Sequence, residues 1–235
     1  MKRSLIAVCT AVVVGFIAAL GLCMQVLLRP QSVSAFADNG MKIVLDAGHG
    51  GMDGGVVGKK TGKKESDINL QITYTLKSVL EDAGFEVVLT RKTEAGLYGT
   101  TAKGFKKRDM EKRKEIILQA DPALVLSIHQ NLYPSQNSRG GQVFYRKGDE
   151  GSQTLALPLQ EALNGLYQEE GVKGRKAAGG EFFILNCHTC PSVIVECGFL
   201  SNYADEKLLT EERGQKRIAE SIAAGVLTYF SRITA

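Results

Sequence analysis

An α/β fold is predicted by three features of the sequence. Apolar runs at residues 43–45, 123–128 and 193–195 read as strands buried on both faces of a sheet. Between the first two, residues 65–84 place Ile68, Ile72, Leu76, Val79 and Leu80 at helical three- and four-residue steps. Finally, each apolar strand leads into a polar residue, His49, His129 or Glu196, at the carboxyl end where open α/β sheets gather their sites.

The 235 residues suit one domain of ordinary size with an appendage. Hydrophobic residues make up 44% and charged residues 23%, the balance of a globular chain rather than a disordered one. The net charge of +4 is compatible with an anionic polymer surface. No basic stripe interleaved with aromatic residues calls for nucleic acid.

Residues 1–40 read as a targeting segment. Lys2 and Arg3 precede 25 uncharged residues, 4–28, which as a helix can span a hydrocarbon core of ~30 Å. Arg29 and Pro30 end the run, and the charge flank puts the N-terminus in the cytoplasm and the rest outside. Ala35-Phe36-Ala37 resembles a cleavage site, so the segment is either a membrane anchor or a signal peptide. Residues 31–40 form a tether, and 41–235 form the exported domain.

That domain opens with the 43–45 strand and a loop holding five glycines in eight residues, 48–55, around His49. The 65–84 helix, with Gly84 as C-cap, leads to a strand at 85–89, a unit that implies a right-handed crossover and a parallel pair. Residues 92–107 read as loop and 109–120 as a second helix. The 123–128 strand delivers His129. A turn at 132–140, a strand at 141–145 and a helix at 152–167 follow, with Pro158 expected to kink the helix or delay its start. A short strand at 182–185, the 193–195 strand and helices at 204–209 and 212–230 complete the chain.

Two imidazoles and a carboxylate match a catalytic zinc set, with the fourth position left for water. Glu65 opens the helix after the glycine loop and so faces the same crevice as His49 and His129. Glu196 is then left as a base beside the metal, and metal-assisted hydrolysis of an amide is the chemistry this hardware suits. The glycines are no phosphate cradle, because no Lys-Ser/Thr pair follows them at P-loop spacing.

The order and spacing of several segments carry a resemblance. These are residues 43–51, Glu65, Leu89-Thr90-Arg91, Ser127-Ile128-His129-Gln130-Asn131 and residues 195–202. Over 41–232 the chain resembles the zinc-dependent N-acetylmuramoyl-L-alanine amidases of the amidase-3 type. The resemblance implies a mixed, mostly parallel sheet of about six strands flanked by helices, in a single domain. It implies one zinc per chain held by His49, Glu65 and His129, with Glu196 as catalytic base. The implied substrate is peptidoglycan, cut between N-acetylmuramic acid and L-alanine. Ala47, Ser66 and Gln130 depart from the residues usual in the family, and none of them is a ligand.

Lys107-Arg108-Asp109-Met110-Glu111-Lys112-Arg113, together with a membrane segment followed by one catalytic domain, resembles the germination-specific type, which strips peptides from spore-cortex muramic acid on the way to muramic-δ-lactam. A vegetative autolysin and a weakly active peptidoglycan-binding scaffold are the alternatives, and some relatives use an activating lipoprotein. Arg113 is either a substrate clamp or a salt-bridge partner. Asp46 is expected to orient the glycine loop, and Asn131 to lie at the substrate or behind the ligands. Cys187-His188-Thr189-Cys190 is a cleft loop, a short disulfide or half of a second metal site. With Cys197 the two cysteines make an odd group, which is no disulfide framework.

Overall fold

A computed structural model of the chain describes residues 40–234. The expected targeting segment, residues 1–40, lies outside the described residues except for Gly40. Among the described residues no helix is long and apolar enough to cross a membrane.

The elements run β1 (Lys42–Ala47), α1 (Glu65–Asp82), β2 (Glu86–Leu89), α2 (Phe105–Ala120), β3 (Leu124–Asn131), β4 (Gln142–Arg146), α3 (Glu150–Gln168), β5 (Ala178–Gly180), β6 (Ser192–Phe199), α4 (Tyr203–Thr210) and α5 (Glu212–Ile233). The six strands form one sheet in the order β2-β1-β3-β6-β4-β5. β2, β1, β3 and β6 run parallel, and β4 crosses to antiparallel against β6. The sheet is therefore mixed and mostly parallel, as the resemblance implies.

Alternation along the strands divides the interior. Leu45, Leu126, Ile128 and Val195 face α1, α3 and α5 in the larger core. Val44, Val125 and Ile194 face the opposite way, under α2 and the 3-10 turn Ile184–Asn186. Each such Val, Leu or Ile contributes about 1.5–3 kcal/mol by leaving water. The same alternation decides the site. Asp46, Ser127, His129 and Glu196 share the parity of Val44, Val125 and Ile194 and stand on the α2 face of the sheet.

Three expectations are corrected. Residues 182–185 are not a strand: they lead into the 3-10 turn, and the fifth strand is Ala178–Gly180. Short apolar runs do not distinguish strand from other buried backbone. The second helix begins at Phe105 rather than Asp109, after a left-handed Gly104. Its Lys106-Lys107-Arg108 opening has neither a polar N-cap nor an acidic first turn, the usual signals of a helix start. Pro158 sits buried inside α3 without delaying it. That helix starts at Glu150, where the Asp149 carboxylate accepts from the Ser152 N–H at 2.8 Å.

Candidate metal centre

Three groups that could ligate a metal converge where β1 and β3 end and α1 begins. One ligand atom each from His49, Glu65 and His129 all lie within 4.8 Å of one another. Glu65 Oε1 stands 3.0 Å from His129 Nδ1 and 3.4 Å from His49 Nε2. The imidazoles meet nearly edge to face, centroids 5.0 Å apart. Two rings crowding one carboxylate oxygen are a donor set that could hold a divalent metal such as zinc.

Backbone makes this convergence possible. His49 takes a left-handed φ of 61°, unusual for any residue with a side chain. Gly55, φ 67°, passes so close that a Cβ would run into the Glu65 carboxylate and come within 2.8 Å of His49 Cδ2. A Cβ on Gly48 would strike the His129 ring. Glycine is required at both points because the chain itself brushes the ligand atoms.

The carboxylate of Glu65 is held at both oxygens. Oε2 accepts from the Val56 N–H at 2.9 Å, and Oε1 from the Gln130 N–H at 3.0 Å. Burial alone would raise its pKa, but hydrogen bonds and charge from His129 and His49 outweigh that and hold it well below the carboxylate range. For His49, burial pulls downward, yet Glu65 and Asp53 prevail and raise the imidazole above its ordinary value. Asp53 Oδ2 lies 3.1 Å from His49 Nδ1 and its other oxygen takes Lys106 Nζ at 3.0 Å.

A buried ionic frame lies beneath the ligands. Asp46 accepts from Thr90 Oγ1, Ser127 Oγ and Arg113 Nη1, each at 2.6 Å. Burial would raise its pKa; Arg113 and the two hydroxyls hold it at about 2 instead. Arg113 also donates to Asp109 Oδ2, to the Ala47 carbonyl at 2.8 Å and to the His49 carbonyl at 2.6 Å. Arg113 is 1% exposed, and its guanidinium is engaged by Asp46, Asp109 and two carbonyls of the His49 loop, which favours the structural role over the clamp. Asp46 is joined to that loop through Arg113.

Arg91 makes a second fork. It donates to the carbonyls of Ala47, Thr93, Gly48 and Ser66 at 2.7–3.1 Å. Burial and the neighbouring Arg113 lower its pKa to about 10, so it stays a cation at neutral pH. Sequence reasoning placed Thr90 and Arg91 in a motif without a role. Asp109 stood in the 107–113 run without a role either, although its i,i+4 spacing to Arg113 was the available signal.

Glu196 stands directly across from His129 in the β3–β6 register. Burial pushes its carboxyl up to about 7; His129 opposes this and Glu65 adds to it. Among the described residues its Oε2 has no hydrogen-bond partner. Asn131 lies at the end of β3, where its carbonyl accepts from the Leu200 N–H at 2.9 Å.

A cavity of about 230 Å³ opens beside the ligands, walled by Phe105, Met110, Phe182, Phe183 and Ile194 with Lys106 also lining it. The segment leading into the 3-10 turn thus lines the cleft. The cysteines after it are free thiols: Cys187 and Cys190 form no disulfide, and His188 pairs with Asp121 at 3.2 Å.

A family model described as N-acetylmuramoyl-L-alanine amidase matches residues 43–228 and so spans all three ligand candidates and Glu196. The chain belongs to the amidase-3 family. It is an N-acetylmuramoyl-L-alanine amidase. The germination-specific N-acetylmuramoyl-L-alanine amidase of Bacillus subtilis is 33% identical over 196 residues, 82% of this amidase and 81% of that protein. Among solved structures, the CwlD amidase of Clostridioides difficile, determined with the GerS lipoprotein, is 35% identical. It superposes with a TM-score of 0.76 over 82% of this chain and 99% of its own. An N-acetylmuramoyl-L-alanine amidase from Clostridium difficile 630 is 27% identical with a TM-score of 0.72, covering 83% of this chain and 98% of its own.

Proposed function

We propose that this amidase uses one zinc ion, held by His49, Glu65 and His129, to cleave the N-acetylmuramoyl–L-alanine amide of spore-cortex peptidoglycan, with Glu196 as the catalytic base. The observation that carries the catalytic reading is Glu196 itself. A carboxyl group with an unpartnered oxygen, paired in register with His129 and raised to about 7, is costly to keep without a task. Zinc bound by this donor set supplies Lewis acidity to the amide carbonyl and to water. Glu196 accepts a proton from the attacking water and returns it to the departing nitrogen of L-alanine as the C–N bond breaks. Glu65 and the two imidazoles stay fixed in this sequence of steps, held by the hydrogen bonds of Val56 and Gln130 and by the Arg113 fork.

The cortex assignment rests on the resemblance to the germination-specific amidase and the CwlD structure. Removal of the peptide is the step that frees muramic acid for δ-lactam formation. Residues 1–40 carry the domain across the membrane as an anchor or a cleaved signal, so that it works on its polymer outside the cytoplasm. A lipoprotein partner, as in the CwlD complex, is the proposed activator.

Metal content, mutation and product analysis test this. Purified protein should carry about one zinc per chain, and chelation should abolish peptide release from muramic acid. Glu196→Ala should retain the zinc and lose activity by about 10²–10⁴-fold, the usual contribution of a positioned acid–base group. Parent-rate release by that variant would sink the mechanism. Mass analysis of muropeptides should show release from cortex; release from vegetative wall alone would instead make the enzyme an autolysin.

A further inference from the structure

Glu206 is a glutamate in the first turn of α4, only 1% exposed. Burying a carboxylate is expensive unless its oxygens are fully engaged. These are. Oε1 accepts from the Thr61 N–H at 2.7 Å, Thr61 Oγ1 at 2.8 Å and the Lys60 N–H at 3.0 Å. Oε2 accepts from the Lys60 N–H at 3.1 Å. The helix does not need Glu206 as a cap, because Asn202 Oδ1 already accepts from the N–H groups of Ala204 and Asp205. All four contacts reach across 145 or 146 residues to one short loop.

That loop is the tip of a hairpin whose base is Glu65. Val57 and Lys64 bridge antiparallel, and the Gly58 N–H donates to the Lys63 carbonyl at 2.9 Å. At the base, the Glu65 N–H donates to the Val56 carbonyl at 2.8 Å while the Val56 N–H donates to Glu65 Oε2 at 2.9 Å. The hairpin therefore sets both the backbone and the carboxylate of Glu65. Its tip is tied to the α4 region at two further points: Lys59 N–H to the Leu200 carbonyl at 3.4 Å, and Lys63 Nζ to the Thr210 carbonyl at 3.0 Å. Glu206 is the buried tie among them.

We propose that Glu206 is a positioning residue for the metal centre: by pinning the tip of the 57–64 hairpin, it holds the Glu65 carboxylate where it meets His49 and His129. The inference rests on the reading of those three residues as zinc ligands. Without the pin, the tip regains backbone freedom and the hairpin spends part of its time away from the ligating arrangement. Apparent affinity then falls by the competent fraction. Groups that orient metal ligands typically change affinity by about 10–100-fold when removed.

The test is zinc affinity of the full protein, measured by competition with a chromogenic chelator, alongside thermal unfolding of the metal-free form. Glu206→Gln keeps the shape but puts an NH₂ against N–H donors; it should bind zinc about tenfold more weakly. Thr61→Val removes one of the four contacts and should shift affinity the same way by less. Gln160→Met serves as control. Gln160 is also buried and also ties another segment, the start of the preceding strand β4, through the Val143 N–H and the Gly141 carbonyl, but it lies in α3, away from the hairpin. It should lose stability with zinc affinity unchanged. Parent protein that binds no zinc would overturn the ligand reading and this inference with it. Zinc-binding parent with equal affinity in Glu206→Gln would overturn the inference alone, as would an equal affinity loss in Gln160→Met. If Glu206→Gln fails to fold, parent-like affinity in Thr61→Val overturns it.

Discussion

Replacing Arg113 by Met should destabilise the protein by about 3–5 kcal/mol at neutral pH, the usual cost of removing one partner of a buried ion pair. The side chains are similar in size, so the loss is electrostatic rather than a cavity. The variant leaves the Asp46 carboxylate, 2% exposed, with only the hydroxyls of Thr90 and Ser127. It also takes the side-chain donor from the His49 carbonyl and leaves the Ala47 carbonyl to Arg91 alone. The pH dependence identifies the cause. Asp46 titrates at about 2 in the folded parent, below its unfolded value of 3.8. A depressed carboxyl contributes stability that is present above the unfolded pKa and is lost as pH falls through the folded one. The fall from 3.8 to about 2 is worth about 2 kcal/mol. The variant has lost the cation responsible, so its deficit against the parent should shrink by up to about 2 kcal/mol as pH drops from 5 toward 2. Urea unfolding of the metal-free protein, followed by far-UV circular dichroism across that range, measures the gap. A gap that stays constant refutes the Asp46–Arg113 account. Parent stability with a raised KM would return Arg113 to the role of substrate clamp.

Gly55→Ala should weaken zinc binding by about tenfold or more, because a Cβ at φ 67° meets both Glu65 and His49; chelator competition reads this directly. An unchanged affinity would show that the ligands have room to withdraw. The thiols of Cys187 and Cys190 should alkylate slowly with iodoacetamide at pH 7.5 and rapidly in urea. Burial raises both, Cys187 to about 11, and the thiolate is the reactive form. Fast labelling of the folded protein would contradict the protonated state of these thiols and the burial of Cys187.

The readable parts of the sequence are those whose physics is local. β1, β3 and β6 are enclosed on both faces, so they appear as plain apolar runs, and His49, His129 and Glu196 follow from where those runs stop. Glu65 is visible as an acid at the start of an amphipathic helix. β5 is not visible, because Ala178-Gly179-Gly180 has no β-branched side chain and owes its strand state to pairing with Phe144–Arg146 at the sheet edge. The run at 182–185 is apolar for a different reason. Ile184 and Leu185 fill the smaller core, while Phe182 and Phe183 line the cleft. Arg113 was legible as a residue of interest but not in its role. Its partners Asp46 and His49 lie 67 and 64 residues away, and nothing local distinguishes a fork turned inward from one turned to solvent.

The frame under the ligands also explains how a glycine-rich loop can be stiff. Glycine loses the most backbone freedom on ordering. Few ladder bonds are available in such a loop to offset that loss. Arg91 and Arg113 replace them. Between them they cap the carbonyls of Ala47, Gly48, His49, Ser66 and Thr93, which brackets both the His49 turn and the start of the Glu65 helix. Hydrogen bonds from charged donors are worth about 1.5–3 kcal/mol each, more than neutral ones. Two buried guanidinium groups beneath a cation site would ordinarily repel the cation. Here Asp46 and Asp109 ion-pair with Arg113, so the frame carries two positive and two negative charges. What an incoming divalent ion meets is then set by Glu65 and Glu196. On the proposed zinc reading, removing either aspartate would add a positive charge under His49, Glu65 and His129 and should weaken metal binding, although neither aspartate is among the proposed ligands.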